Sequence, residues 1–357
     1  MIVRARILRL AFIFSVLTLT SSFAITTTIS QDNSCPSSTN KNSDETMIPL
    51  SKYRSVKTVM PRPPRHWVGN AFHVYPVFAN KAFTQELSPL LMFDYAAPKT
   101  FPASTGQPKG VGQHPHRGFE TVTIAFQGSV EHHDSTGKSG IIGPGDVQWM
   151  TAGRGIIHQE YHSKEFTREG GTFEMCQLWV NLPKKYKMSK PGYQGILNKN
   201  IPVVDLPLNK EENGGSESVG TARIIAGELG ETQGAAKTYS PVQMWDVSLP
   251  KAGSEVEFPF AKDHNCIVFV RRGSVEIISG EGEALKASKL GPQDVALMRT
   301  DGSDLLKIRV LETNSSLIIM GGEPLDEPIA ARGPFVMNTQ EELSNAMMDY
   351  SSGKMGR

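Results

Sequence analysis

A two-part motif occurs twice in this chain, and this repeat constrains the fold more than any other feature. In the first copy, residues 127–131 (QGSVE) precede residues 143–147 (GPGDV); in the second, residues 272–276 (RGSVE) precede residues 291–295 (GPQDV). The two Gly-Ser-Val blocks are 145 residues apart, and the two Gly-Pro blocks are 148 apart. Because both blocks keep their order and nearly equal spacing, we expect two copies of one structural unit.

The composition and the residues around the repeat indicate that this unit is a β-barrel. The chain of 357 residues contains 33 Gly and 23 Pro, and its short apolar runs are typical of strands joined by tight turns. Strand-like runs at residues 121–126 and 267–270 precede the Gly-Ser-Val blocks. We predict an all-β fold of two tandem antiparallel barrels. Residues 209–220 are polar and rich in Gly and Ser, which predicts an exposed loop after the junction.

The C-terminal residues predict one short helix. Residues 339–342 (TQEE) form a capping-box pattern, in which Thr and Glu side chains bind each other's backbone N–H groups. Four apolar residues then follow at helical spacing: Leu343, Ala346, Met347 and Tyr350. We expect this apolar stripe to pack on a barrel.

Two short motifs place pairs of metal-donor side chains two residues apart. They contain His114 with His116, and His158 with Glu160. Residues two apart in an extended strand point to the same face of the sheet, so each motif aims both donors one way. We predict that the two strands face each other across a barrel, so that three imidazoles and one carboxylate converge on a metal ion. Such a site leaves room for a substrate.

The repeat supplies an internal comparison for this metal site. The two offsets carry the four donors to Pro259, Ala261, Leu306 and Ile308, none of which binds metals. A scaffold that needed histidine only for packing would not lose all four donors together. We therefore expect the first barrel to bind metal and the second to brace it or serve partners.

Four longer segments resemble the pirin family of the cupin superfamily. They are residues 114–123 (HPHRGFETVT), 143–160 (GPGDVQWMTAGRGIIHQE), 177–183 (QLWVNLP) and 333–339 (GPFVMNT). The resemblance implies a bicupin with a leader and low-complexity segment at residues 1–59. The metal-binding cupin barrel then spans residues 60–190, and a second barrel with the C-terminal helix spans residues 191–357.

The resemblance also implies one iron site, whose family ligands match His114, His116, His158 and Glu160. Three neutral imidazoles and one carboxylate suit Fe(II) first, with Mn, Co, Ni, Cu or Zn able to compete. We expect one Fe(2+) per chain. Glu120 occupies the position where many cupins have their carboxylate ligand, so it is a second-rank candidate with a structural or supporting role.

Two functions follow from this resemblance. In the first, the protein is a quercetin 2,3-dioxygenase-like oxidoreductase that opens the heterocycle of a flavonol, and Glu160 is the catalytic base. In the second, it is an iron-dependent, redox-sensing transcriptional cofactor or signalling protein that acts on a regulatory protein without turnover. The formal net charge of +1 and the lack of a recognition motif predict no direct nucleic-acid binding. We expect a monomer.

Several further residues are weighed against simpler interpretations. His162 is a fifth donor or a strand-end residue, and Asp94, Gln177 and Phe126 are pocket candidates. The remaining polar candidates are predicted to lie in solvated loops or segments: His132, His133, His264 and the basic run at residues 184–187. Three cysteines, Cys35, Cys176 and Cys266, form no CxxC pair or regular framework, so we expect buried or idle thiols.

The N-terminus has the composition of a targeting segment. Arg4, Arg6 and Arg9 precede an apolar stretch at residues 10–24 that ends in a small-x-small pattern, which suits a signal peptide. A transit peptide fits nearly as well, and translation from Met47 or Met60 would bypass the segment. The stretch is short for a membrane span, so no membrane is expected in the mature form. The family resemblance implies nucleus and cytoplasm; use of the leader implies a secretory or organellar location.

Overall fold

The computed structural model describes residues 52–207, 218–280, 282, 285–300 and 302–356. All of them belong to one compact unit, Pro49–Arg357. The predicted leader, Cys35 and residues 209–217 of the predicted loop lie outside the described residues. Residues 218–220 were predicted to be loop, and this is wrong, since they begin a strand. Among the described residues, no helix is long and apolar enough to cross a membrane.

The described chain begins with a strand, β1 (Val56–Met60), and then forms the first cupin-type domain. This domain has eleven strands, and the first ten are β2 (His66–Val68), β3 (Phe72–Pro76), β4 (Leu90–Phe101), β5 (Gly110–His116), β6 (Phe119–Gln127), β7 (Val130–Asp134), β8 (Ser139–Ile142), β9 (Val147–Thr151), β10 (Ile156–His162) and β11 (Gly171–Asn181). The eleventh is β12 (Gly192–Ile196), and helix α1 (Lys164–Glu169) lies between β10 and β11.

The second cupin-type domain repeats this arrangement. Its strands are β13 (Val203–Pro207), β14 (Ser218–Ala226), β15 (Glu228–Leu229), β16 (Thr232–Gln233), β17 (Val242–Leu249), β18 (Glu255–Pro259), β19 (Asn265–Arg272), β20 (Val275–Ser279), β21 (Lys286–Leu290), β22 (Val295–Met298), β23 (Leu305–Val310) and β24 (Ser315–Gly322). A hairpin, β25 (Ala330–Arg332) and β26 (Phe335–Met337), and helix α2 (Gln340–Ser351) follow. Single 3-10 turns lie at Ala79–Lys81, Gln85–Leu87, Lys184–Tyr186 and Asn198–Asn200.

Each domain pairs a seven-stranded sheet with a four-stranded sheet. The large sheets have the orders β12-β9-β6-β11-β4-β3-β2 and β1-β22-β19-β24-β17-β14-β13. The small sheets have the orders β5-β10-β7-β8 and β18-β23-β20-β21. The same strand order in both halves confirms the prediction of two copies of one β-unit.

The repeated Gly-Pro turns also have matching hydrogen bonds. In each copy the Asp side chain, Asp146 or Asp294, accepts a hydrogen bond from the backbone N–H of the first Gly of its turn, at 3.0 and 2.8 Å. The residue before this Asp has a positive φ in both copies, 85° at Gly145 and 66° at Gln293. Gly adopts this conformation without the steric cost that a side chain carries. The second copy therefore keeps the turn although it has lost the Gly.

The edge strands show how the two domains divide the chain. Strand β1 precedes the first domain but pairs with β22 of the second, and β12 pairs with β9 of the first. The predicted boundary at residues 190 and 191 assigns β12 to the second barrel, whereas its backbone extends the sheet of the first. The predicted N-terminal segment at residues 1–59, a leader followed by a low-complexity stretch, likewise includes most of β1.

The two large sheets pack against each other through a shared apolar core. Phe93 and Tyr95 of the first domain contact the ring of Phe269 in the second, with centroid separations of 5.1 and 5.2 Å. Met244 and Met320 are fully buried in the same core. Burying a side chain such as Phe or Met contributes about 1.5–3 kcal/mol. This part of the contact between the domains is thus apolar.

The C-terminal helix forms as the sequence predicts, but its apolar stripe packs on the β25–β26 hairpin rather than on a barrel. Its Asp349 pairs with Arg117 of the first domain at 2.9 Å. Thr339 and Glu342 form the capping box, and Leu343 is buried while Tyr350, at the far end of the stripe, is 41% exposed. The chain before the helix reaches the first domain, where Phe335 forms a parallel bridge with Arg117. The residues that follow the second domain therefore return to the domain that carries the metal motifs.

Candidate metal centre

The two metal-donor motifs lie on neighbouring strands of one sheet. His114 and His116 are at the end of β5, and His158 and Glu160 are in β10. These strands are antiparallel, and His158 lies directly opposite His114. The prediction that the strands face each other across the barrel was wrong. Backbone pairing between them brings the donors together instead.

An irregularity in β5 sets the direction of its donors. Glu160 pairs with Val111, so β5 has one residue more than β10 between this pair and the His158–His114 pair. Such a bulge bends the strand and re-aims its side chains. Pro115 fits here because β5 is at the edge of its sheet, where the missing N–H costs no ladder hydrogen bond.

The three imidazoles form one cluster. One nitrogen of each of His114, His116 and His158 lies within 4.8 Å of the nitrogens of the other two. The ring centroids of His114 and His158 are 4.3 Å apart, and His116 is 4.9 Å from each. Glu160 is not part of this cluster; both its carboxylate oxygens accept from Nε2 of Gln177, at 3.1 and 3.2 Å. The fourth predicted donor, Glu160, therefore lies close to the cluster along β10, but its carboxylate is hydrogen-bonded to the large sheet on the opposite side of the barrel.

The hydrogen bonding of the rings fits a metal ligand set. His114 donates from Nδ1 to the Gly112 carbonyl at 2.9 Å, which leaves the lone pair on its Nε2. Both ring nitrogens of buried His158, and Nδ1 of buried His116, have no hydrogen-bond partner in the described part of the chain. Buried polar atoms without partners are costly. A divalent cation that accepts the one lone pair of each neutral ring would remove that cost for the nitrogen it binds.

The protonation state of the cluster suits the same role. Burial lowers the pKa of His116 and of His158 well below the ordinary value, and the neighbouring His114 lowers both pKa values further. Both rings are therefore neutral at pH 7, the form that binds a metal. Burial raises the pKa of Glu160, while His114 and the Gln177 amide act in the opposite direction. The carboxylate is thus a stronger base than an exposed Glu.

A row of polar side chains lines the large sheet opposite the cluster. Asp94, Gln177, Thr123 and Gln148 lie side by side on β4, β11, β6 and β9. Because Gln177 bonds to Glu160, this row faces the small sheet and the barrel interior. Asp94 Oδ1 and Gln148 Nε2 are buried without a hydrogen-bond partner among the described residues, and burial raises the pKa of Asp94 to about 7. The interior beside the cluster therefore holds unused donors and acceptors.

The second barrel has apolar residues at all of these positions. Phe258 lies opposite Leu306, as His114 lies opposite His158, so pairing identifies Phe258 and Phe260 as the counterparts of the β5 histidines. The predicted counterparts Pro259 and Ala261 were one residue off, whereas Leu306 and Ile308 are buried in the core as expected. The polar row has apolar counterparts in the same core: Trp245, Ile319, Val268 and Ala296.

The other acidic and histidine candidates lie outside the cluster. Glu120 accepts from Thr151 Oγ1 at 2.6 Å, and burial raises its pKa to about 7, which fits a structural group. His162 is buried between the rings of Phe101 and Phe173, at 4.7 and 4.5 Å, and is no fifth donor. It belongs instead to the apolar end of the barrel.

Three of the polar residues predicted to be solvated are packed or buried. His132 is buried in β7 with its ring stacked on Tyr193 at 5.2 Å, whereas His133 is exposed and pairs with Glu131. His264 has a buried Nδ1, and its carbonyl accepts from Arg54 at 2.7 Å. The prediction for His132 failed because two adjacent polar residues resemble a loop in sequence, whereas pairing within β7 turns one side chain inward. His264 does lie in a turn, but its Nδ1 is buried.

Lys187 is the largest departure from the predicted solvated run. Its Nζ donates to the carbonyls of Gly118 and Val336 at 2.7 and 3.0 Å, and to Asn181 Oδ1 at 2.6 Å. Burial lowers its pKa to about 7. Lys184 and Lys185 are exposed, as predicted. The buried lysine joins β26 to the metal-bearing domain.

Sequence reasoning missed two groups beside the cluster. The ring of Trp179 is 5.2 Å from that of His116, and the backbone of Pro334 lies close enough to His116 to raise its pKa against the effect of burial. Both lie in segments whose sequence resembles the pirin family, and that resemblance is the sequence feature that could have identified them. Phe126 lies between the domains rather than in the barrel, beneath the guanidinium of Arg271. Cys176 and Cys266 are buried free thiols, as predicted.

Comparison with known proteins decides the family. The family model "Pirin" matches residues 71–180, and the model "Pirin C-terminal cupin domain" matches residues 244–356. The chain belongs to the pirin family. Among curated pirin-family relatives, "Putative quercetin 2,3-dioxygenase" of Pseudomonas aeruginosa is 48% identical over 295 residues, covering 82% of this chain and 95% of that protein.

Other pirin-family relatives agree with this placement. "Pirin-like protein" of Solanum lycopersicum is 37% identical over 275 residues, covering 76% of this chain and 83% of that protein. The crystal structure of quercetin 2,3-dioxygenase from Acinetobacter baumannii matches with a TM-score of 0.76 and 41% identity, covering 85% of this chain and 98% of that one.

Proposed function

We propose that this pirin-family protein is a metal-dependent dioxygenase that opens the heterocycle of a flavonol such as quercetin. The observation that carries the proposal is the first barrel's interior, where three buried or half-buried imidazoles lie beside polar atoms that have no hydrogen-bond partner among the described residues. The second barrel, which has the same strands, is filled with apolar side chains. The names of two relatives, one sharing 48% and one 41% identity, support the same substrate class.

The metal in this proposal is one Fe(2+) per chain. His114, His116 and His158 would hold it, and Glu160 would join them when released from Gln177. Fe(2+) supplies Lewis acidity and reactivity toward dioxygen when it is bound. His114 and Gln177 both keep partial exposure, so solvent and small molecules reach this side of the barrel.

The chain's own groups would bind and deprotonate the flavonol. A flavonol carries a hydroxyl group next to a ring carbonyl and further hydroxyl groups on its rings. Asp94 and Gln148 offer an unused acceptor and donor for such groups. Glu160, whose pKa is raised by burial, would take the hydroxyl proton on one of its carboxylate oxygens. The Gln177 amide holds that carboxylate in place until the substrate arrives.

Oxygen uptake tests this proposal. Protein reconstituted anaerobically with Fe(2+) should consume quercetin and dioxygen in equal amounts when air is admitted. Glu160→Gln should lower kcat by about a hundredfold or more, the usual effect of removing a general base. Glu131→Gln, on the neighbouring strand β7, is the matched control and should keep wild-type turnover.

The outcome separates the two functions. A wild-type protein that holds one Fe(2+) per chain yet consumes no quercetin would contradict the dioxygenase proposal and favour the redox-sensing cofactor. A His114→Ala variant that still binds Fe(2+) like the wild type would contradict the assignment of the metal site itself. The nuclear and cytoplasmic location and the monomeric state stay predictions.

A further inference from the structure

A cleft between the two domains is lined by charged side chains that the metal centre does not use. Its volume is about 480 Å³, and it lies where the end of β6 and the turn before β9 meet the second domain. Its charged lining consists of Arg223, Arg271 and Arg272 of the second domain with two carboxylates, Glu174 and Asp246.

These charges form an ion-pair network across the domain boundary. Fully buried Glu174 accepts from Arg271 Nη1 at 2.8 Å and from Arg272. Asp246 accepts from Arg223 Nη1 at 2.8 Å, and Arg271 Nη2 lies 3.8 Å from it. Glu174 also accepts hydrogen bonds from two neutral groups, Tyr95 and Gln127. The carboxylates are thus saturated with donors.

The guanidinium groups, by contrast, do not all have an acceptor for each N–H. The lining of the cleft has three positive charges and two negative ones, so one positive charge is in excess although each arginine pairs with a carboxylate. Arg223 and Arg271 each keep a buried Nε–H without an acceptor among the described residues, and the side chain of Arg272 is 46% exposed. An uncompensated charge beside a domain contact is costly. An anion in the cleft would balance it.

The cleft also has a preformed geometry for such an anion. The guanidinium of Arg271 lies 4.1 Å from the centroid of the Phe126 ring, and its ion pair with Glu174 fixes its plane. Arginines held in this way recognise the paired oxygens of carboxylate and phosphate groups. We propose that the cleft binds a small oxyanion, a phosphate or carboxylate group with at least two anionic oxygen atoms.

Isothermal titration calorimetry on the full, metal-loaded chain tests this proposal. Sodium phosphate and sodium succinate are titrated separately in chloride buffer at matched ionic strength. We expect one anion per chain from at least one of the two, and the comparison shows which group the cleft accepts. Arg272→Gln should weaken binding by about tenfold, the effect of losing one charge-assisted contact. Arg272→Lys should recover part of the affinity.

Two control variants make the result decisive. Arg309→Gln removes an arginine of similar exposure, 43%, that also pairs with carboxylates but lies on β23, outside the cleft. It should bind the anion like the wild type. His114→Ala, which disrupts the metal centre, should also keep anion binding. Lack of binding by the wild type, equal weakening by Arg309→Gln, or loss with His114→Ala would each overturn the proposal.

Discussion

Glu160 and Asp94 bring two buried carboxyl groups into the first barrel from its two sheets. Glu160 has the Gln177 amide as a partner, whereas Asp94 Oδ1 has no partner among the described residues. The i, i+2 spacing identified the histidines from sequence because a strand alternates its faces. It could not identify Gln177 as the partner of Glu160, since sheet pairing distant in the chain brings them together.

Asp94→Asn is expected to change how stability depends on pH. Burial raises the folded-state pKa of Asp94 to about 7 from the ordinary value of 3.8, so the folded protein binds more protons than the unfolded chain between these values. This contribution is present below pH 4 and is lost as the pH rises through 7. At pH 8 the variant should be more stable than wild type by about 2–4 kcal/mol.

Urea unfolding at pH 5 and pH 8 measures this difference for both proteins. Thr123→Ser, in the same polar row but without a titrating group, is the matched control. If Asp94→Asn raised the free energy of unfolding over wild type by the same amount at both pH values, the carboxyl group would not titrate between them.

The elements around the metal centre come from both ends of the described chain. The bulged edge strand β5 directs two of the ligands, and the β25–β26 hairpin with α2 covers the same domain from the C-terminal side. Helix α2 was predictable because its capping and apolar spacing are local. Its docking site was not, because Lys187 and Arg117, which hold this segment, read as surface charges in the sequence.

Thr339→Ala is expected to weaken this docking. The Thr339 side chain accepts from the Glu342 N–H, so its loss leaves an N-terminal donor of α2 unpaired. The free energy of unfolding should fall by about 1 kcal/mol. Thermal or urea unfolding measures it, with Ser344→Ala, at an exposed position within the helix, as the control. Equal losses in the two variants would contradict a specific role for the cap.

Across the whole molecule, the repeat fixed the number of domains but not which edge strand each one receives. Short motifs do not encode the pairing of edge strands that are distant in the chain, so the sequence could not show that β1 pairs with β22 or that β12 pairs with β9. Arg54, just before β1, is fully buried and donates to the carbonyls of Ala261, His264 and Ser303.

Chains that start at Met47 and at Met60 should therefore differ in stability. The longer chain keeps Arg54 and β1, whereas the shorter one loses both and leaves β22 with an open edge. We expect the shorter chain to be less stable by about 3 kcal/mol or more, because the carbonyls of Ala261, His264 and Ser303 lose the donor that Arg54 provides. Urea unfolding compares the two. Equal stabilities would show that β1 is dispensable and would make Met60 an acceptable start.

The pairing of β1 with β22 also affects the order of events during synthesis. Val56–Met60 leaves the ribosome before any residue of its partner Val295–Met298 exists, and the whole first domain is made in between. Domains generally fold as they emerge. Strand β1 must therefore remain unpaired while the first domain folds. The second domain completes its large sheet only when β22 has been made and pairs with β1.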